Sequence, residues 1–419
     1  MKNFFNKGVI YLLLWCLYNL QGLLFQSGGV ISQFLLLILL VWSILHFFLV
    51  NFKKRSTLPN FIKAVNVFLI MATVYGTILI LSGQELFITE GEYKRVPNFY
   101  YLKEVLVSLL PIYPIYYYVQ KGYINERHWG FLVLMFICTA WGEYLRFQME
   151  YSKWAMETRS TREEFTNNTG YTFLSILPLL LLWNRKPVLQ YGLFLVCVAG
   201  IILCMKRGAI IIGIICFIYF IYSTIKASRG KTRRMIILLS VFAIAGTILL
   251  VQDMTATSEY FVQRLVQTLD GDTSNRDVIY TNLWNVFINE SNPLKLLFGR
   301  GANATLAVGM NLAHNDWLEL AINQGVLGLV VYVYYFISLL KDASQVRKRN
   351  VLDYKILLMS TLILFSRSLF SMSYSDVDVV LMLAIGIALG SSTINKKNYG
   401  NNTIIESEPF DSYNKTLER

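Results

Sequence analysis

Long apolar runs without a polar face constrain this chain more than any other feature of its sequence. Residues 30–50, VISQFLLLILLVWSILHFFLV, offer no solvated side over a length that spans a bilayer. A soluble protein of 419 residues would alternate apolar and polar positions along its surface helices, whereas here 55% of the residues are hydrophobic and only 15% are charged. The sequence therefore predicts an all-α polytopic membrane protein.

The apolar runs also predict where the chain crosses the membrane. At about 17 to 21 apolar residues per crossing they predict about twelve transmembrane helices, near residues 8–25, 30–50, 61–82, 101–119, 129–147, 168–183, 188–205, 208–225, 235–251, 316–340, 354–371 and 375–393. The sixth is short and carries Pro178, which removes one helix hydrogen bond. The first has a basic start but no small-residue cleavage site after it, so we interpret it as a retained span and not a signal peptide.

The basic residues predict the orientation. The formal net charge is +12, and the basic clusters NFKKRS, NRKP, KASRGKTRR, KDASQVRKRN and NKKN all fall on one side if the odd-numbered spans run outward. That side is expected to be cytoplasmic, with both termini on it. Basic residues in short loops between spans do not indicate a nucleic-acid partner, and the lipid bilayer is the partner that the composition implies.

The chain is expected to consist of one membrane domain followed by a polar tail. Residues 1–395 are expected to form one integral membrane domain, with a long outer loop at about 252–313 that contains short helices. Residues 396–419 form a polar cytoplasmic tail, which is expected to be disordered. Since the chain has no insertion the size of a soluble domain, any chemistry must take place on the long loop or between spans.

Two cationic positions on the predicted outer side are candidates for binding an anion. Lys206 and Arg207 lie between two apolar runs with almost no loop to hold them, and they could also be cations that snorkel to the interface. Arg276 lies in the first turn of a predicted amphipathic helix, where the helix dipole favours negative charge. Either an anion binds beside Arg276, or Asp272 and Asp277 compensate its charge.

The end of the long loop carries His314. It follows a glycine-marked turn that includes Arg300, and it precedes Asn315, which can cap the next helix. The same histidine could be an interfacial residue without a function. The spacing of Leu318, Ala321, Gly325 and Gly328 predicts a small-residue helix face for close packing in lipid.

Ionisable residues also interrupt the last two spans. Arg367 and Asp376 are functional candidates at membrane depth, although a pair that only ties two helices together would look the same. No metal site is expected, because the other histidines, His46 and His128, are predicted on the opposite side of the bilayer. No cofactor is expected either.

The order of these signals resembles the O-antigen ligase and Wzy-type O-antigen polymerase family of bacterial membrane glycosyltransferases. The resemblance lies in KRGA at the start of a span, in NRDVIYTNLWNVF followed by LFGRGAN, and in AHNDWLELAINQGVLGLVVY. These motifs cover about residues 205–340. The twelve-span plan and the long outer loop are similar to the family's plan as well.

The resemblance implies a bacterial inner-membrane enzyme that acts on its periplasmic face. Its donor would be a glycan on undecaprenyl pyrophosphate, which is transferred with inversion to a sugar hydroxyl and without a metal ion. Arg207 and Arg276 match the family's two arginine positions and would bind the pyrophosphate, while His314 matches its histidine and would act as general base. Lys206, Arg300, Asn315, Arg367 and Asp376 would support these three.

Three functions remain open at this point. A polymerase would add the growing glycan to another lipid-linked repeat unit of O-antigen, capsule or exopolysaccharide, and could have a chain-length regulator as a partner. A ligase would transfer the glycan to a lipid A core acceptor. A lipid-linked oligosaccharide flippase would also have about twelve spans, but it should show repeat-like halves, whereas the polar candidates here concentrate in the second half of the chain.

Overall fold

The computed structural model describes residues 6–24, 29–54, 58–84, 86–88, 94–124, 126–158, 167–184, 186–257, 261–262, 266, 276–309, 312–371 and 379–401. Within these ranges the chain is almost entirely helical, as the apolar runs predict. The helices of the first half are α1 (Lys7–Leu24), α2 (Val30–Lys54), α3 (Asn60–Ser82), α4 (Tyr100–Leu109), α5 (Ile112–Gln120), α6 (Glu126–Thr158), α7 (Thr169–Leu180) and α8 (Pro187–Leu203).

The second half continues with α9 (Arg207–Ala227), α10 (Gly230–Thr257), α11 (Arg276–Ile288), α12 (Pro293–Phe298), α13 (Ala304–Gly309), α14 (Asp316–Arg347), α15 (Val351–Phe370) and α16 (Val379–Asn401). One antiparallel hairpin, β1 (Leu86–Ile88) with β2 (Lys94–Val96), follows α3. Leu86 pairs with Val96 and Ile88 with Lys94. The last helix continues past the tail boundary predicted at 395, and residues 402–419 lie outside the described part.

The protein is a helical membrane protein. Six of the helices described are long and apolar enough to cross a bilayer, namely Val30–Phe52, Asn60–Ser82, His128–Glu150, Arg207–Ala227, Gly230–Thr257 and Asp316–Arg347. Shorter apolar helices occupy Lys7–Leu20, Thr169–Trp183, Pro187–Leu203 and Val379–Thr393. Within the described residues, each predicted span thus coincides largely with helix, while the number of twelve crossings and their direction stay predictions.

The fourth predicted span is divided into two helices. The run 101–119 divides into α4 and α5 at Leu110 and Pro111. Proline has no backbone N–H, and its ring clashes with the preceding turn, so a continuous helix through Pro111 is disfavoured. Pro178, by contrast, lies inside α7, which ends two residues later and tightens into a 3-10 turn at Leu181–Trp183.

The core is one continuous apolar cluster to which most of the helices contribute. α14 packs against α3 and α15, while α16 packs against α5 and α15. α7 is enclosed by α6, α8, α9, α15 and α16, and eleven of its twelve residues are buried. This central position of α7 brings its first turn against the elements that carry the sequence-predicted site.

The segment between α10 and α14 contains short helices, as predicted. α11 has the predicted apolar face, since Ile279, Leu283, Val286 and Phe287 join a separate small cluster with residues of α13 and α14. α11 and α13 therefore pack directly onto the first half of α14. The hairpin strand β1 also contacts α13.

Candidate functional site

His314 lies between two residues that are held firmly in place. The buried Ala313 donates its N–H to Glu319 Oε2 at 2.9 Å. Asn315 caps α14 as predicted, because its Oδ1 accepts the N–H of Leu318 at 3.1 Å, and its Nδ2 donates to the carbonyl of Leu369 in α15 at 3.1 Å. The backbone on both sides of the histidine is therefore anchored, to the helix that follows and to its neighbour.

The backbone of His314 itself has a conformation that residues with a side chain rarely adopt. Its φ is +50°, in the left-handed region. Among the described residues other than glycine, only Met205 and Asn303 share this feature, and each lies in a turn beside a sequence-predicted candidate. Such conformations persist where surrounding contacts determine them, and they cluster at functional sites.

Glu319 organises the first turn of α14. It is fully buried and accepts hydrogen bonds from the Thr305 hydroxyl, from the Ala313 N–H and from Asn323 Nδ2. Asp316, also fully buried, accepts the Tyr332 hydroxyl at 2.5 Å. Both acids stand in the first turn of α14, where negative charge suits the helix dipole, and both are buried and hydrogen-bonded there.

The helix α14 is interrupted at Gly325. This residue has φ 65° and ψ −156°, which are not helical values. The break releases backbone carbonyls from the helix, and the glycine-marked loop uses them: Arg300 N–H donates to the Ile322 carbonyl and Gly301 N–H to the Asn323 carbonyl, both at 2.9 Å. The loop is thus hydrogen-bonded into the interior of a predicted transmembrane helix.

Only glycine fits at the centre of this contact. A Cβ on Gly325 would lie 2.5 Å from the Leu296 carbonyl oxygen, and a Cβ on Gly299 would lie 2.3 Å from the backbone nitrogen of Gln324. Both positions also have positive φ. The prediction of a continuous small-residue face through Gly325 is therefore wrong, because the helical spacing is broken at that residue and the glycine serves the loop.

Arg276 begins α11 as predicted, and Tyr280 lies one turn further on the same helix. The Tyr280 hydroxyl donates to the carbonyl of His314 at 3.2 Å and also interacts with the side chains of Arg276 and Asn315. Burial raises the pKa of the Tyr280 phenol above its ordinary value of 10.0, so the hydroxyl remains a donor. Tyr280 thereby joins the predicted anion-binding arginine to the predicted general base.

A second connection runs through α7 to α15. Tyr280 lies near Tyr171 of α7, and the guanidinium of Arg367 stacks on the Tyr171 ring at 4.7 Å from its centroid. Arg367 is only 3% exposed, so this cation lies inside the protein. The prediction that Arg367 matters at membrane depth is consistent with this position, but its proposed partner Asp376 lies outside the described residues.

The turn that carries Lys206 and leads into Arg207 packs against the start of α7. The Asn167 N–H donates to the Cys204 carbonyl at 3.2 Å, and a Cβ on Gly170 would lie 3.7 Å from the Lys206 Cβ. Arg207 is the first residue of α9 and is half-buried. The turn that precedes α9 is therefore packed against the same helix end that carries Tyr171.

Arg300 has a different environment from the other arginines. Its guanidinium pairs with Glu290 at 2.5 Å, and its backbone docks onto α14. The side chain therefore makes an ion pair within the loop, while the backbone of the same residue holds the loop against the helix break. Of the predicted supporting residues, Asn315, Lys206 and Arg367 lie on the connected elements around His314, and Asp376 is outside the described part.

Sequence reasoning missed three residues of this cluster: Tyr280, Tyr171 and Glu319. Tyr280 could have been found, because a residue four positions after Arg276 shares its helix face. An acid in the first turn of a helix suits the helix dipole, so Glu319 gives no local signal that it holds a loop. Tyr171 contacts a side chain almost two hundred positions away, and no local pattern signals that contact.

The electrostatics of this end of the bundle favour an anion. Arg207, Arg276, Lys206 and Arg367 lie on elements connected to His314. The buried acids Glu319 and Asp316 are already engaged by hydrogen bonds, Glu319 with Thr305, Ala313 and Asn323, and Asp316 with Tyr332. In the part of the chain that the structure describes, no group of three or more histidine, cysteine, aspartate or glutamate side chains could hold a metal ion. Bidentate guanidinium groups suit phosphate oxygens in particular.

Fold and site together define a helical membrane protein with a cationic polar site beside a histidine at one end of the bundle. Residues 192–333 match the family model of O-antigen ligase, Wzy_C. The resemblance to the O-antigen ligase family that was drawn from the sequence is therefore confirmed over this part of the chain. The activity of the family is that of a membrane glycosyltransferase.

The matched region includes Arg207, Arg276 and His314, while Tyr171 and Arg367 lie outside it. The search of curated proteins found no match to the chain.

Proposed function

We propose that this protein transfers a glycan from undecaprenyl pyrophosphate to a sugar hydroxyl at the periplasmic face of the bacterial inner membrane, and that it polymerises repeat units. The observation that carries this proposal is the contact of Tyr280 with both His314 and Arg276. It joins a base and a phosphate-binding cation within a region that matches the O-antigen ligase family. A lipid-linked donor lies in the bilayer plane, which suits a site at the end of a transmembrane helix.

The proposed reaction is a single displacement. The acceptor oxygen attacks the anomeric carbon of the donor sugar, and the bond from that carbon to the pyrophosphate oxygen breaks. The acceptor proton passes to the imidazole of His314, and undecaprenyl pyrophosphate leaves as the anion. One displacement at one carbon inverts its configuration. General base catalysis of this kind contributes about 10²–10⁴ in rate.

The arginines would stabilise the leaving group. Negative charge develops on the pyrophosphate oxygen in the transition state, and cations fixed in advance are more effective there than mobile water. Arg276 is fixed by Tyr280, and Arg207 by the turn that packs on α7. The positive ends of α9 and α11, at which these arginines stand, would add a favourable field for the anion.

The test is complementation of a gene deletion in the native host. His314→Ala, Arg276→Ala and Arg207→Ala should each reach wild-type membrane levels and lose surface glycan, whereas Arg233→Ala, at an exposed position of α10, should restore it. Arg276→Lys should restore little, because an ammonium cannot form the bidentate contact. Normal glycan in all three alanine variants would contradict the site.

The material left on undecaprenyl pyrophosphate identifies the reaction. Single repeat units on the lipid, with no long chains, are expected for a polymerase. Long lipid-linked chains that never reach the lipid A core would show a ligase instead. The description of the matching family, O-antigen ligase, makes this the second candidate. Repeat units confined to the cytoplasmic leaflet would indicate a flippase and would overturn the proposal.

A further inference from the structure

A large apolar cavity lies between α1, α2 and the end of α5, far from the candidate site. Its volume is about 920 Å³, which is within the range of ligand-binding cavities. Most of its wall is aliphatic or aromatic, and none of the described residues that line it is acidic. Its lining includes Lys7, Trp42, Leu45, His46, Phe52 and Tyr118.

The cavity and the candidate site lie at opposite ends of the bundle. Asp342, late in α14, accepts the backbone N–H of Asn60 at 3.1 Å and that of Phe61 at 2.8 Å. Asn60 begins α3, directly after the end of α2 that lines the cavity. His314 precedes the other end of α14, and the length of helix between the two corresponds to on the order of 35 Å.

The open side of the cavity faces hydrocarbon. Leu37, Val41, Leu45, Phe48 and Phe52 follow one another at spacings of three or four along α2, and all five are exposed. α2 is one of the helices that can cross a bilayer, so an exposed apolar stripe along it contacts lipid chains. The occupant that this wall fits is an acyl chain.

The polar groups of the cavity lie close to one another. Trp42 Nε1 donates to the Tyr118 hydroxyl at 2.8 Å, and the His46 ring lies 4.8 Å from the Tyr118 ring, centroid to centroid. Lys7 is exposed there and close enough to His46 to interact with it electrostatically.

The backbone around Lys7 is held in place by hydrogen bonds of Asn6. Asn6 caps α1, since its Oδ1 accepts the N–H groups of Gly8 at 3.0 Å and Val9 at 3.1 Å, and its Nδ2 donates to the Tyr123 carbonyl. Lys7 is the first residue of α1, so its ammonium stands at the positive end of an 18-residue helix. A cation at a helix N-terminus, an apolar wall and no acidic residue in the lining complement an anionic headgroup that carries acyl chains.

We propose that this cavity binds an anionic phospholipid of the surrounding bilayer, with the phosphate at Lys7 and an acyl chain along α2. The site is independent of the proposed transfer reaction, because its cation and its wall lie at the other end of the bundle. In the orientation predicted from the basic loops, this lipid belongs to the cytoplasmic leaflet.

Native mass spectrometry of the purified full-length protein tests the proposal, with phosphatidylglycerol and phosphatidylcholine of identical acyl chains as probes. The wild type should bind phosphatidylglycerol about tenfold more tightly than phosphatidylcholine. Leu45→Trp, which fills the cavity, should weaken phosphatidylglycerol binding about tenfold. Lys7→Gln should remove the preference between the two lipids while leaving some binding of both.

The matched controls are Ile218→Trp on the lipid-facing side of α9 and Lys231→Gln at an exposed position of α10, both away from the cavity. Neither should change lipid binding. Equal binding of the two lipids to the wild type, or an unchanged preference in Lys7→Gln, would overturn the anionic assignment. Displacement of phosphatidylglycerol by an equal concentration of a polyprenyl phosphate would show that the occupant is the carrier lipid instead.

Discussion

The two halves of α14 are parts of one helix, yet they have opposite characters. Before Gly325 the helix buries Asp316, Glu319, Asn323 and Gln324, all with no exposed surface. After it, the sequence VLGLVVYVYYFISLL exposes apolar side chains such as Val330 and Ile337 to the bilayer. The first half holds a loop, and His314 lies just before it. The second half has the apolar composition of a membrane-spanning helix.

The comparison shows how a membrane helix can carry a polar site. Buried polar groups in hydrocarbon are costly unless every one finds a partner. In the first half the neighbouring loop supplies several of these partners, through the N–H groups of Arg300, Gly301 and Ala313. In the second half, Asp342 accepts the N–H groups of Asn60 and Phe61 at the start of α3. These hydrogen bonds fasten α14 to α3.

The largest effect should come from removing the break that separates the halves. Gly325→Ala would force a Cβ against the Leu296 carbonyl at a positive φ, so we expect a loss of about 2–5 kcal/mol in the free energy of unfolding. Thermal unfolding of the purified protein in detergent measures it. Gly246→Ala in α10, where the added Cβ meets nothing within 4 Å, should leave stability unchanged or slightly raised. Equal stability of the two variants would contradict the docking of the loop at Gly325.

Replacing one acid in each half should separate stability from activity. Glu319→Ala leaves the Ala313 N–H and the Thr305 hydroxyl without their acceptor, and Asp342→Ala leaves the N–H groups of Asn60 and Phe61 without theirs. Each should lower the free energy of unfolding by about 2–3 kcal/mol. Only the Glu319 variant should also lose glycan transfer per folded molecule, measured with a lipid-linked donor in vitro. Equal activity losses in both would show that the first half has no special link to the chemistry.

Removing one hydroxyl should affect turnover without unfolding the protein. Tyr280→Phe deletes the donor to the His314 carbonyl and the contact with Arg276. We expect turnover to fall about tenfold, equivalent to about 1.4 kcal/mol in the activation barrier, with a smaller change in thermal stability. The matched variant is Tyr334→Phe, on the exposed apolar side of the second half of α14, which should retain full turnover.

The smallest effect concerns the ion pair that supports the loop. The backbone N–H of Asn292 and the Arg300 guanidinium hold the pKa of Glu290 below its ordinary value of 4.5. A carboxyl with a lowered pKa in the folded state adds stability above its unfolded pKa, and this contribution is lost as the pH falls through the folded pKa. Unfolding temperatures should therefore fall less steeply below about pH 4.5 in Glu290→Gln than in the wild type. Parallel curves for the two proteins would exclude this contribution.

Local patterns predicted the pieces of the site well. The start of α11 at Arg276, its apolar face and the capping role of Asn315 follow from residues within one or two helical turns of each other. The helix positions follow from apolar runs for the same reason, since a helix satisfies its backbone within its own segment. Two predicted spans are interrupted, at Pro111 and at Gly325, and local proline chemistry explains the first of them.

Contacts between distant segments decided how these pieces are joined. Nothing in the sequence distinguishes Gly325 from other glycines in a helix. Only the tertiary structure shows that α14 is broken at Gly325 and that the loop with Gly299 and Gly301 docks at this break. The same is true of Arg367 on Tyr171 and of the acceptors around Glu319. The amino-acid sequence by itself determined a helical membrane protein, its orientation signal and its candidate arginines and histidine, because hydropathy and capping act over a few neighbouring residues. The tertiary structure alone decided which of these side chains meet, because a buried polar group must find its partner wherever in the chain the fold places one.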